Sequence, residues 1–221
     1  MSHITQNIKK LRAEIPFDVK IVAISKTHSV KQIREAMESG HNIFGESRVQ
    51  ELIAKYKQIS DVQWHMVGHL QTNKVKLIVP FVHMIQSVDS LRLIDEINKQ
   101  AINHNRVIDC LLQVHIAREE AKFGFSEPEL IKLIEKGAFE NLKHVKICGL
   151  MGMATFTDDM NAVRLEFRRL NNFFKLLRKS YFCDNPFFTE LSMGMSADYN
   201  IAIEEGATII RPGSTIFAKK Y

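Results

Sequence analysis

The feature that most constrains this chain is an alternation sustained from end to end: short apolar, β-branched runs separated by segments of helical period. The strand candidates are residues 20–25, 42–44, 62–67, 83–86, 107–114, 145–151, 188–191 and 208–211. Runs such as Lys20-Ile21-Val22-Ala23-Ile24 are almost continuously apolar, as befits strands of a parallel sheet covered on both faces. Between them, residues 158–179 place Met160, Val163, Phe167, Leu170, Phe174 and Leu177 on one helical stripe. Leu91, Ile94, Ile97 and Ala101 form a second stripe, and Ile33, Ala36 and Met37 a shorter third. Ser90 and Ser126 stand where helix N-caps belong, Ser126 being followed by Glu127-Pro128.

Repeated strand-then-helix units require parallel strands, because each crossover needs a helix. Eight units admit a closed (β/α)8 barrel of the TIM type or an open doubly wound sheet. The open sheet normally carries Gly-x-Gly-x-x-Gly after its first strand. Here that strand ends Ser25-Lys26-Thr27-His28, with no glycine, which favours the barrel. No linker or low-complexity tract interrupts the sequence, so residues 1–221 are expected to form a single barrel domain.

Cys110 and Cys148 lie in apolar runs and Cys183 follows two aromatics, without metal-ligand spacing, so neither disulfides nor a metal site is expected. The net charge of +5 comes with opposite signs interleaved, as in Arg118-Glu119-Glu120 and around Glu204-Glu205. The pairs Lys9-Lys10 and Lys219-Lys220 are too short to make a basic patch. A nucleic-acid partner is therefore not expected. Neither a signal peptide nor a membrane-length apolar stretch is visible, which points to a cytoplasmic protein without a membrane partner. No exposed apolar helix stands out, so a monomer is expected.

In a β/α barrel the chemistry collects where strands end and βα loops begin. Lys26 follows the first strand, and period-two alternation puts it on the face of Val22 and Ile24. An inward lysine at a barrel mouth needs an acidic partner, a neutral amine or a covalent bond, and a neutral amine attacks aldehydes. Taken alone, Lys26 also reads as a solvated strand terminus. After the seventh strand, Ser192-Met193-Gly194-Met195-Ser196 leads into a short helical segment, 197–205. Ser196 there suits either phosphate binding at a helix start or an ordinary N-cap. The eighth strand closes with Arg211-Pro212-Gly213-Ser214, a second glycine-plus-hydroxyl turn. Loops after strands seven and eight are the common phosphate site of such barrels. Arg211 alternates with Ile209 and so points inward, toward a ligand or an ion pair with Glu46. His65 and Asn73 are candidate pocket residues or satisfied structural groups, and Met151 and Met153 could pack on a ring or serve as core.

Six motifs together resemble one family: Val-Ala-Ile-Ser-Lys (22–26), Phe-Gly-Glu (44–46) with Val-Gln-Glu (49–51), Trp-His-Met-Val-Gly-His-Leu-Gln-Thr-Asn-Lys (64–74), Gly-Leu-Met (149–151), Gly-Met-Ser-x-Asp (194–198) and Arg-x-Gly-Ser-x-Ile-Phe (211–217). The chain resembles the pyridoxal phosphate (PLP) homeostasis proteins, also called proline synthase co-transcribed proteins, whose fold is that of the alanine racemase barrel domain. The resemblance spans essentially the whole chain. It implies that Lys26 carries PLP as a Schiff base, that Ser196, Gly213 and Ser214 hold the phosphate, and that Arg211 faces the pyridine nitrogen. Three positions depart from the family pattern. Ser47 replaces an asparagine near the cofactor and keeps one hydrogen-bond donor, Arg48 replaces a tyrosine, and Ala218 replaces a glycine.

An arginine opposite the pyridine nitrogen cannot keep that nitrogen protonated, so the ring is a weaker electron sink. Alanine racemase shares such an arginine but adds a second domain that supplies a catalytic tyrosine, whereas this chain ends at Tyr221 after its eighth unit. The expectation is a non-enzymatic PLP binder that stores, buffers or delivers the cofactor, with PLP-dependent apoenzymes as recipients. The alternative is a small PLP-dependent racemase or lyase working as a bare barrel.

Overall fold

The first predicted strand is the key to the architecture, because it forms both edges of the sheet. In the computed structural model, which describes residues 2–118 and 123–219, it divides into β1 (Lys20–Ile21) and β2 (Ala23–Ile24). Glu119, Glu120 and Lys220, cited above for the charge pattern, lie outside the described residues. The following strands are β3 (Ile43–Glu46), β4 (Gln63–Met66), β5 (Met84–Val88), β6 (Ile108–Gln113), β7 (Val145–Met151), β8 (Glu190–Ser192) and β9 (Ile209–Ile210). β2 pairs with β3 and neighbours follow in sequence to β9, which pairs with β1, every pair parallel. Val22 sits between the halves and donates its N–H to Ile210 O at 2.9 Å, while Ser25 donates to Gly45 O on the other side. The strand is thus bonded on both flanks, and the ring closes as a parallel β-barrel.

Helices cover the outside: α1 (His3–Glu14) before the first strand, then α2 (Val30–Met37), α3 (Val49–Tyr56), α4 (Val75–Ile78), α5 (Leu91–Asn103), α6 (Glu127–Glu135), α7 (Met160–Ser180), α8 (Tyr199–Glu204) and α9 (Ser214–Phe217). Most of the apolar core lies between strands and helices, with Ile33, Leu52, Trp64, Ile94, Phe167 and Leu177 all fully buried. A smaller cluster fills the barrel itself: Val22, Met84, Leu111, Cys148, Met151 and Ile209, with Ile24 packed against it. Gly45 belongs to that interior. A Cβ there would fall 2.6 Å from Ile24 Cδ1 and 2.9 Å from Val22 Cγ1, so the missing side chain is what lets β2 keep its branched residues.

Several local expectations change in detail. α7 begins at Met160 rather than 158, because the Asp159 carboxylate accepts from the amides of Asn161 and Ala162. Met160 is consequently at the helix tip, 37% exposed and outside the core stripe. Ser126 caps α6 in a reciprocal box with Glu129, as its sequence implies. Ser90 precedes α5 but does not cap it through its side chain; its hydroxyl donates to Asp89 Oδ1 at 3.2 Å instead. Cys110, Cys148 and Cys183 are free. Among the described residues no helix is long and apolar enough to cross a membrane, and no group of metal-binding side chains occurs.

Candidate functional site

The C-terminal ends of the strands surround a cavity of about 160 Å³ whose lining includes Ile24, Lys26, Ser47, His69, Met153 and Arg211. Lys26 lies two residues beyond β2 and continues its inward alternation. It is exposed at the cavity mouth rather than sunk below it, and among the described residues it makes no hydrogen bond or ion pair.

The backbone beneath Lys26 is held firmly. Thr27 adopts a left-handed φ of 65° and donates its N–H to Glu51 Oε2 at 2.9 Å. Lys55, buried on α3, donates to Ser25 O at 2.7 Å, to Glu46 Oε1 at 2.6 Å and to Glu51 Oε2 at 3.4 Å. Ser25 Oγ donates to the same Glu46 oxygen at 2.6 Å. Burial pushes the Glu46 carboxyl up, while the hydrogen bonds from Lys55 and Ser25 pull it back. These contacts also settle the partner of Glu46. Its cation is Lys55, not Arg211, so the ion pair that the sequence left open for Arg211 does not form.

Arg211 instead turns into the barrel, only 4% exposed. Its Nη1 donates to Ser192 Oγ at 2.7 Å and its Nη2 to Gly152 O at 2.9 Å. Desolvation lowers its pKa to about 10, opposed by the charge of Asp198, so it remains a cation at neutral pH. From Ser192 the bonds run on down the barrel axis. Ser192 Oγ donates to Gln86 Oε1 at 2.7 Å, and Gln86 Nε2 lies 2.9 Å from His65 Nδ1.

The two glycine-plus-hydroxyl turns meet, though not as a capped helix. Gly194 has φ +90°, and a Cβ on it would lie 2.6 Å from Ala202 Cβ. Ser196 does not cap α8, which starts later, after Asp198. Its hydroxyl accepts from the amides of Gly213 at 3.0 Å and Thr215 at 3.1 Å, tying the turn after β8 to the turn after β9. Ser214 opens α9, and neither its amide nor its hydroxyl is engaged among the described residues.

Of the other candidates, Ser47 and Met153 line the cavity, whereas Met151 is fully buried in the barrel interior. A Cβ on Gly68 would come within 2.4 Å of Ser47 O, so that glycine lets the loop after β4 lie directly on the Ser47 backbone. His65 and Asn73 do not reach this cavity. His65 faces inward one layer lower, and Asn73 is exposed on the turn before α4. Sequence reasoning missed His69, along with Gln113, Phe123 and Met195, on the cavity lining. His69 Nδ1 is 2.8 Å from Asp89 Oδ2, which can only accept, so Nδ1 carries a proton, and the His69 ring stacks on Phe123 at 4.1 Å. The signal was present: His69 is the first polar side chain after the apolar end of β4.

A larger groove of about 630 Å³, lined by residues such as Ile134, Phe139, Leu142, Tyr181 and Phe187, lies away from these strand ends and lacks comparable chemistry.

Comparison with known proteins gives three concordant findings. The family described as alanine racemase, N-terminal domain, matches residues 1–220. A pyridoxal phosphate homeostasis protein of Aquifex aeolicus is 41% identical over 203 residues, covering 91% of this chain and 87% of that protein. The structure of PipY from Synechococcus elongatus without PLP is similar at a TM-score of 0.91 and 34% identity, covering 97% of this chain and 100% of that one. The same protein with PLP bound is similar at 0.88 and 33% identity, with the same coverage.

Proposed function

This chain belongs to the pyridoxal phosphate homeostasis proteins, built on the alanine racemase N-terminal fold, and from that premise we propose that it binds PLP at the C-terminal mouth of its barrel, anchored covalently on Lys26. The observation that carries the reading is a lysine amine with no other partner among the described residues, standing on the wall of a cavity shared with Arg211 and Ser47. The residues fit the cofactor. A cavity of about 160 Å³ matches a single six-membered ring. The joined turns offer the unengaged amide and hydroxyl of Ser214 to a phosphate, next to Gly213 and Ser196. When bound, PLP supplies an aldehyde that condenses with amines and a ring that withdraws electrons.

The protein's own groups favour holding over conversion. Arg211 is buried, charged and braced by Ser192 and Gly152, so it would donate to a bound ring nitrogen and keep its own proton. A ring nitrogen facing that cation would stay unprotonated, which would weaken electron withdrawal. Ser47 can orient the ring with one hydrogen bond. Lys26 lies at the exposed lip, where an incoming amine from a recipient apoenzyme can reach it. We therefore read the protein as a reservoir and donor of PLP with no dedicated reaction.

Borohydride reduction of PLP-loaded protein followed by peptide mapping tests the anchor. The expected result is a pyridoxyl adduct on the peptide bearing Lys26; an adduct confined to other lysines overturns the assignment. Rapid racemisation or cleavage of free amino acids by the loaded protein would overturn the carrier role.

A further inference from the structure

The opposite, N-terminal mouth of the barrel contains chemistry that PLP binding does not use. A cavity of about 460 Å³ opens there, and its lining includes Lys20, His65, Met84, Asp109, Lys146 and Glu190. None of its lining residues is shared with the cavity at Lys26. His65 is 4% exposed, and its Nε2 is buried without a hydrogen-bond partner. A buried polar atom in that condition costs about 1–3 kcal/mol unless a ligand or a water molecule engages it.

The axial chain of hydrogen bonds fixes what that atom is. Arg211 is an obligate donor, so Ser192 Oγ accepts from it and gives its single proton to Gln86 Oε1. That orientation leaves the Gln86 amide nitrogen facing His65 Nδ1, which must accept. Burial lowers the His65 pKa to about 3, so the ring is neutral and its proton is on Nε2. His65, on the cavity lining, therefore carries an N–H at Nε2 that has no acceptor among the described residues.

Around it stand two ion pairs: Lys20 with Glu190 at 2.5 Å, and Lys146 with Asp109 at 3.1 Å. Each keeps unused capacity. Lys20 engages Glu190 alone, and Asp109 Oδ2 has no partner among the described residues. Two cations and two anions cancel, so a ligand with net charge would leave one sign uncompensated. A molecule carrying both signs meets both pairs. Met84, Cys148 and Ile209 supply an apolar wall for an aliphatic portion.

We propose that the N-terminal mouth is a second small-molecule site that takes a zwitterion of the α-amino-acid class, its carboxylate accepting from His65 Nε2–H and the lysines, and its ammonium facing Asp109 and Glu190. This site stands independently of PLP at Lys26.

Side-chain nitrogen NMR of histidine-labelled protein reads it directly, with the His65 signal identified by its loss in His65→Gln. Titration with glycine and L-valine should move that signal saturably in the millimolar range, with acetate and methylammonium weaker by about tenfold or more. Asp109→Asn should abolish the advantage of glycine over acetate, and Glu190→Gln provides the same comparison should the first variant fold poorly. No saturable movement with either amino acid overturns the site. Equal saturation by acetate overturns the zwitterionic class.

Discussion

Lys20 and Lys26 lie on the same inward-facing register of one strand, yet the barrel treats them in opposite ways. Lys20, at the N-terminal mouth, is paired with Glu190, whose second oxygen is held by Thr208. Lys26, at the C-terminal mouth, has no ionic partner among the described residues, although Glu46 and Glu51 both lie beneath its turn. The difference is Lys55, which occupies both carboxylates from below. Lys26 is left without an ionic partner among the described residues by a second lysine that satisfies the acids around it. Position on the barrel face is therefore not enough to make a covalent anchor; the neighbours must also leave the amine alone.

The sharpest way to break this comparison is to exchange the two sites. Lys26→Ala should remove essentially all pyridoxyl labelling after reduction, whereas Lys20→Ala should leave it near one adduct per chain by intact mass. Retained labelling in Lys26→Ala, or its loss in Lys20→Ala, would show that the paired and unpaired lysines are equivalent.

The next largest effect should come from Lys55→Met. It strands the Glu46 carboxylate, which is fully buried, and breaking one side of such a pair costs about 3–5 kcal/mol. Urea unfolding should show that loss, and adding Glu46→Gln should recover most of it. The single variant should also slow uptake of PLP at Lys26, because Glu51 becomes available as its partner.

The strands that frame this contrast were legible in the sequence, but the contrast itself was not. Continuous apolar runs located the strands, and β7 matches its predicted span of 145–151, opened by Val145 and Ile147 and closed by Leu150 and Met151. Inward alternation ordered Val22, Ile24 and Lys26 on one face correctly, since period two needs no tertiary information. What alternation could not supply was depth along the barrel axis. His65 points inward as its position implies, but one layer too low for the mouth, while His69 reaches the cavity from the loop after β4. Ser196 failed as a cap for a related reason: its hydroxyl is claimed by amides 17 and 19 residues away, a contact no local pattern encodes. The partner of Glu46 was missed as well: the sequence offered it to Arg211, and nothing local marked Lys55 as the cation that packing brings to it.

The lower mouth has its own pH signature. With a folded pKa of about 3 against an ordinary 6.5, His65 takes up a proton in the unfolded chain before it does so in the folded one. Stability should therefore fall as pH drops through that window, by about 1.4 kcal/mol per unit for this group. Unfolding at neutral and mildly acidic pH should show a shallower dependence in His65→Gln than in the parent. An unchanged slope would place the proton elsewhere and weaken the directed chain from Arg211.

The smallest expected effect is at the upper mouth, at Ser47, where the resemblance set out above implies an asparagine. Ser47 Oγ can offer one donor to the ring, whereas an amide offers a donor and an acceptor on a longer arm. The backbone at this position cannot shift to compensate, because Gly68 lies directly on it. Ser47→Asn should thus extend the side chain into the cavity and add about one net hydrogen bond, worth about 1 kcal/mol or about fivefold in the Kd for PLP. Spectrophotometric titration of the PLP absorbance would measure it. Weaker binding in Ser47→Asn would mean that the cavity of about 160 Å³ is already filled by ring and serine together, so that added volume costs more than the new bond gains. Either sign reports on the unpaired lysine's surroundings alone, since no residue of this cavity lines the other mouth.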